Sequence, residues 1–193
     1  YGTCWAFAST GLAEFDLIND GLASKDTVDF SELQLAYFTY NFVTDPLGGT
    51  EGDVARYYND NATYSYLNRG GNFAYSLRRL SQWIGVADES DVSYAQAGAT
   101  ISGSSIDDKY AYGYDKAHLE NAYEINIKQQ PDQVKEMIEQ NGAVGAIYHD
   151  RDSAWGLYGT DSYTYYDTDT LGGGHAVMIV GWDDTFSKDN FTY

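Results

Sequence analysis

Tyr1-Gly2-Thr3-Cys4-Trp5-Ala6-Phe7-Ala8 opens the chain. From there Trp5, Phe7, Ala8, Leu12, Phe15 and Ile18 recur at three- and four-residue steps, the period of an amphipathic helix. Asn19-Asp20-Gly21 closes it, with Gly21 suited to a left-handed cap. Cys4 therefore falls at a helix N-terminus. Unpaired backbone N–H groups and the helix dipole favour an anion there, and such a site lowers a thiol's pKa toward the nucleophilic thiolate. Position supplies half of what a reactive thiol needs; a small buried hydrophobe is the other reading of a free cysteine.

The rest of the chain bounds that question. It has 193 residues, 29 acidic against 11 basic, a net charge of −18 and 43% hydrophobic residues. That is enough apolar material for a core. No apolar run approaches the roughly 18 residues of a membrane span. The acidic balance argues against nucleic acid as a partner. A lone cysteine excludes an intrachain disulfide, and one Cys with scattered His118, His149 and His175 gives no zinc spacing, so no metal or cofactor is expected. With no Met at position 1 and no signal sequence, the chain is expected to begin within a longer product.

Ser31-Glu32-Leu33-Gln34 starts a second helix, Ser31 as N-cap and Gln34 reaching back to complete a capping box. Residues 44–63 read as loop. Gly70-Gly71-Asn72 introduces a third helix with Tyr75, Leu77, Leu80 and Trp83 on its apolar face. Residues 86–120 show no steady period. Tyr123, Ile125 and Ile127 alternate as in a strand; Pro131 to Gln140 reads as a helix; Ala143 to Tyr148 reads as a buried strand. Residues 150–172 look like loop, and His175 to Val180 is the clearest strand. Helices followed by strands predict an α+β architecture with two lobes, residues 1–85 and 86–193.

His118 and His149 sit in polar settings and read as solvated. His175 opens an apolar strand after Gly172-Gly173-Gly174, which allows close approach of another backbone. By itself it could be a structural strand-edge histidine. Paired with Cys4, it suits a thiolate–imidazolium couple.

At this point the sequence resembles a known family. Gly2-Thr3-Cys4-Trp5-Ala6-Phe7 is similar to the nucleophile segment of papain-like cysteine peptidases. Ser31-Glu32-Leu33-Gln34, Gly70-Gly71-Asn72, Asn141-Gly142-Ala143-Val144 and Gly174-His175-Ala176-Val177 with Gly181-Trp182 resemble the family's further landmarks, in the same order. The resemblance implies the papain-like two-lobed fold with its cleft between the lobes. It also implies a cysteine endopeptidase, a hydrolase acting on polypeptide. Cys4 would be the nucleophile and His175 the acid and base. Gly70 and Gly71 would pair with the substrate backbone, and Gly174 would offer a carbonyl. Ile147 and Ala176 would line the pocket for the second residue before the cut. The Gly181-Trp182-Asp183-Asp184 ending and the lack of disulfides look most like bacterial or archaeal surface members, which implies an extracellular or cell-surface protein with additional domains.

The departures are specific. The family's oxyanion glutamine lies six residues before its cysteine, and only three residues precede Cys4 here. No Asn-Ser-Trp-Gly segment follows His175; Asn190 is the nearest substitute, and the orienting asparagine is expected beyond Tyr193. Tyr1 stands where many relatives have a disulfide cysteine. His175 follows Cys4 by about 170 residues, against about 130–150 in plain members, and insertions in 44–63, 96–120 and 150–172 would absorb the difference. A Cys-His acyltransferase or a non-catalytic surface-binding module would share these features. Asp183, Asp184 and Asp189 read as a solvated acidic loop rather than a calcium site. The Asn61 and Asn190 sequons are short patterns, and the tyrosine run Tyr163 to Tyr166 suits a half-buried strand.

Overall fold

The computed structural model describes residues 1–48, 54–55, 65–114, 116–159, 162–169 and 172–191. Helix α1 spans Cys4–Asn19, α2 Glu32–Tyr40, α3 Phe73–Ser81, α4 Ala97–Ile101, α5 Lys109–Tyr112 and α6 Pro131–Asn141. Strands β1 Val144–Asp150, β2 Trp155–Tyr158, β3 Ser162–Tyr165 and β4 Gly173–Ile179 follow. The sequence sets most of these boundaries locally. Asp20 and Gly21, the latter at φ 70°, end α1. Asn72 accepts a hydrogen bond from the Tyr75 N–H to start α3. Pro131 starts α6 and left-handed Gly142 ends it.

Helices α1, α2 and α3 pack around Trp5, Leu33, Leu35, Phe38 and Leu67. Ser31 caps α2 by accepting from the Gln34 N–H at 2.9 Å. The expected reciprocal half of the capping box does not form. Gln34 instead turns its amide inward, donating to the carbonyls of Gly85 (2.9 Å) and Tyr110 (2.8 Å). The Ser31 N–H that this half of the box would satisfy already donates to the Ala87 carbonyl at 2.9 Å, and the fully buried Gln34 finds its partners inward instead. This ties the aperiodic stretch after residue 86 to the helical core, as do the isolated bridges Phe30↔Asp88 and Val86↔Ala117.

Strands β1 and β4 pair antiparallel, with Ile147 opposite Ala176 and Tyr148 opposite His175. Alternation puts Gly145 and Met178 on the face turned to α1. A Cβ on Gly11 would meet the Met178 Cε at 2.6 Å, and one on Gly145 the Phe73 ring at 2.7 Å. These two glycines let helix and sheet touch, which brings the start of β4 beside the start of α1.

Three further sequence expectations are corrected. Residues 121–127 form no strand: no described segment pairs with them, and Tyr123 and Ile127 face solvent. Residues 150–172 are not simply loop, because β2 Trp155–Tyr158 and β3 Ser162–Tyr165 pair antiparallel, in register Trp155↔Tyr165. Helix α3 packs Tyr75 and Leu80 against the core as expected and buries Ser76 and Arg79, while Leu77 and Trp83 are exposed; Trp83 instead stacks on His118, centroids 4.1 Å apart. Residues 86–120 contain α4 and α5, too short for a period to show. The expected loop at 44–63, with its Asn61 sequon, lies mostly outside the described residues.

Candidate active site

A cleft of about 660 Å³ runs between α1 and β4. Cys4, Phe7, Ala8, Gly11 and Glu14 line it from the helix, and His175, Ala176, Val177 and Met178 from the strand. Cys4 is the first residue of α1, so its N–H has no intrahelical acceptor. Thr3, the N-cap, makes no side-chain cap. Its hydroxyl pairs instead with the Tyr94 hydroxyl at 2.5 Å, which leaves the helix terminus open toward the cleft. Phe7, expected in the core, is exposed here with its ring edge-on to Tyr94 (5.0 Å).

The structure brings Cys4, His175 and Ala176 into this one cleft. No hydrogen bond among the described residues joins Cys4 to His175; such bonds often tighten only once substrate is bound. Gly70 and Gly71 lie beside the start of α1: the Gly2 N–H donates to the Leu67 carbonyl (2.8 Å), and Gly71 abuts the Trp5 indole so closely that a Cβ would sit 2.5 Å from the ring. Gly70 is left-handed at φ 75°, and its carbonyl accepts from the Tyr40 hydroxyl. Ile147 is half exposed and faces buried Ala176 across the ladder, with Gly174 opposite His149. Asn190 sits in a short 3-10 turn, and no hydrogen bond among the described residues joins it to His175. His149 lies within 3.3 Å of the Gly172 carbonyl. In the acidic loop, Asp183 accepts from Thr185, which lowers its pKa, and Asp184 pairs with Lys135 at 2.6 Å.

The sequence reading missed the far end of the cleft, where Glu14 and Glu32 join Tyr94. The Glu14 carboxylate accepts from the Phe30 N–H at 2.6 Å. Burial pushes Glu32 up to about 7, a backbone hydrogen bond opposes this, and the charges of Glu89, Glu14 and Asp29 add to it. A carboxyl whose folded pKa lies above its unfolded value stabilises the fold below about pH 4.5, and that stability is lost as pH rises through about 7. Thermal midpoints from about pH 4 to about pH 8 are therefore expected to fall less for Glu32→Gln than for the unaltered protein. Parallel curves would contradict this assignment. The only sequence signal was the acidic residue following the Ser31 cap.

A family model for the papain family cysteine proteases matches residues 1–193. The chain belongs to the papain family of cysteine proteases. No curated protein matches it. Among solved structures, it is similar to the cysteine protease and lectin-like domains of Cwp84, a surface layer associated protein of Clostridium difficile. The TM-score is 0.68 at 24% identity, over 99% of this chain and 36% of that one. The chain thus spans little more than a third of that structure, and the likeness shows the fold. Among the described residues, no helix is long and apolar enough to cross a membrane.

Proposed function

We propose that Cys4 and His175 are the catalytic pair of a cysteine endopeptidase. The observation that carries this reading is their shared cleft, Cys4 from the N-terminus of α1 and His175 from β4. The Cys4 thiolate attacks a peptide carbonyl, and the Cys4 N–H stabilises the oxyanion. The His175 imidazolium gives its proton to the departing amine, which leaves a thioester on Cys4. Neutral His175 then takes a proton from water as the water attacks. Collapse breaks the C–S bond and releases the acid, leaving the Cys4 thiolate beside the His175 imidazolium formed by that proton. Gly70, Gly71 and the Gly174 carbonyl hold the extended substrate backbone. Ile147 and Ala176, register partners on one face, line the pocket for the second residue before the cut, which favours an apolar or aromatic side chain there.

The working arrangement is a helical lobe carrying the nucleophile, which takes in residues 86–112 through Gln34 and the core contacts of Val92, Ala97 and Ala111, and a β-rich lobe carrying the histidine. The neighbour's surface-layer association and its lectin-like domain support a secreted, cell-surface bacterial protein with further domains, and the charge of −18 suits a soluble exposed surface. Digestion of extended peptides by the full-length protein is the test. Free-acid products are expected to dominate even with a primary amine added. Amide products in excess would assign an acyltransferase instead, and no turnover would assign a binding module.

A further inference from the structure

His175 is not the last ring in its surroundings. Its imidazole meets the Tyr148 ring edge-on, centroids 5.7 Å apart at 71°. Tyr148 in turn meets Tyr165 (5.0 Å, 73°), and Tyr165 meets Trp155 (5.0 Å, 66°). Polar contacts fasten the same residues. The Tyr148 hydroxyl and the Trp155 indole N–H both point to Asp150 Oδ1, at 3.4 and 3.0 Å. The Tyr165 hydroxyl donates to the His149 carbonyl. Arg151 pairs with Asp167 and Asp169 just beyond β3. The hairpin β2–β3 is thus tied back onto β1 at the residue opposite His175.

Nothing intrinsic fixes an imidazole plane, because the histidine χ2 torsion is broad and roughly two-fold. Proton transfer needs that plane fixed, and small misplacements are expensive in rate. We propose that Tyr148 is a positioning residue for His175, its ring bracing the imidazole while the Tyr165–Trp155 pair of the hairpin holds the ring in place. Burial, then the Asp150 charge and hydrogen bond, raise the Tyr148 pKa, so its hydroxyl remains a donor to Asp150. The hairpin then serves the reaction without touching substrate. This rests on the Cys4–His175 reading.

The test compares Tyr148→Leu, Tyr148→Phe and Trp155→Leu in the full-length protein, with Cys4→Ala and His175→Ala alongside. Tyr148→Leu is expected to lower kcat about tenfold with KM within about twofold. Tyr148→Phe keeps the ring and is expected to restore kcat to within about twofold of the unaltered protein. Trp155→Leu removes the outer support and is expected to lower kcat about threefold at unchanged KM. It decides the matter if Tyr148→Leu does not fold by circular dichroism. Unchanged kcat in a folded Tyr148→Leu, or an equal loss in Tyr148→Phe, overturns the positioning role alone. Activity retained in Cys4→Ala or His175→Ala overturns the catalytic pair, and the positioning role with it.

Discussion

Cys4→Ala in the full-length protein is expected to lower kcat on the order of 10⁶-fold, with the fold intact. The magnitude follows from the chemistry. Without the thiol there is no covalent intermediate, and what remains is substrate binding plus the helix-terminal oxyanion donor. The side chain is only partly buried and lines the cleft, so trimming it opens no interior cavity. Circular dichroism and thermal midpoints should match those of the unaltered protein while turnover is lost. His175→Ala should fall nearly as far, and the double variant little further, because the pair acts as a unit.

The next residue carries the second large effect, on stability. Trp5→Ala is expected to destabilise the domain by about 4 kcal/mol and lower its Tm by roughly 10 °C. Trp5 is 1% exposed and stands edge-on to both Tyr40 (6.4 Å) and Tyr75 (6.3 Å). Gly71 gives up its side-chain space to the indole. Truncation therefore removes the centre of the α1–α2–α3 packing and leaves a cavity that those rings cannot close. Trp5→Phe should cost much less. It keeps most of the buried area and deletes an indole N–H that is buried without a hydrogen-bond partner among the described residues. Differential scanning calorimetry of the two variants checks the contrast; equal losses would contradict it.

The contrast between these neighbours shows what was legible in the sequence. Helices α1, α2, α3 and α6 announced themselves through apolar period and end signals such as Ser31, Asn72, Pro131 and Gly142. Strands β1 and β4 did so through dense apolar β-formers, and the placement of Cys4 and His175 at the starts of α1 and β4 was readable with them. What stayed hidden depends on pairing. A strand pattern at Tyr123–Ile127 meant nothing without a partner, whereas the tyrosine-rich stretch around Tyr163 became a strand because Trp155 to Tyr158 lay within hairpin reach. Gln34 matched a capping pattern, but its amide went to two distant carbonyls. Tyr148 stands opposite His175 and Tyr94 stands against Thr3 only once the chain is folded, so no local pattern could mark either.

The central claim is that Cys4 is the nucleophile and His175 the group that makes it one. Its most direct measurement is mass-spectrometric mapping of the full-length protein after treatment with a peptidyl epoxide, with activity followed in parallel. One adduct per molecule, located on Cys4, formed in step with loss of activity and formed far more slowly in His175→Ala, is the predicted result. Complete activity with Cys4 fully modified, or loss of activity with Cys4 unmodified, would contradict it.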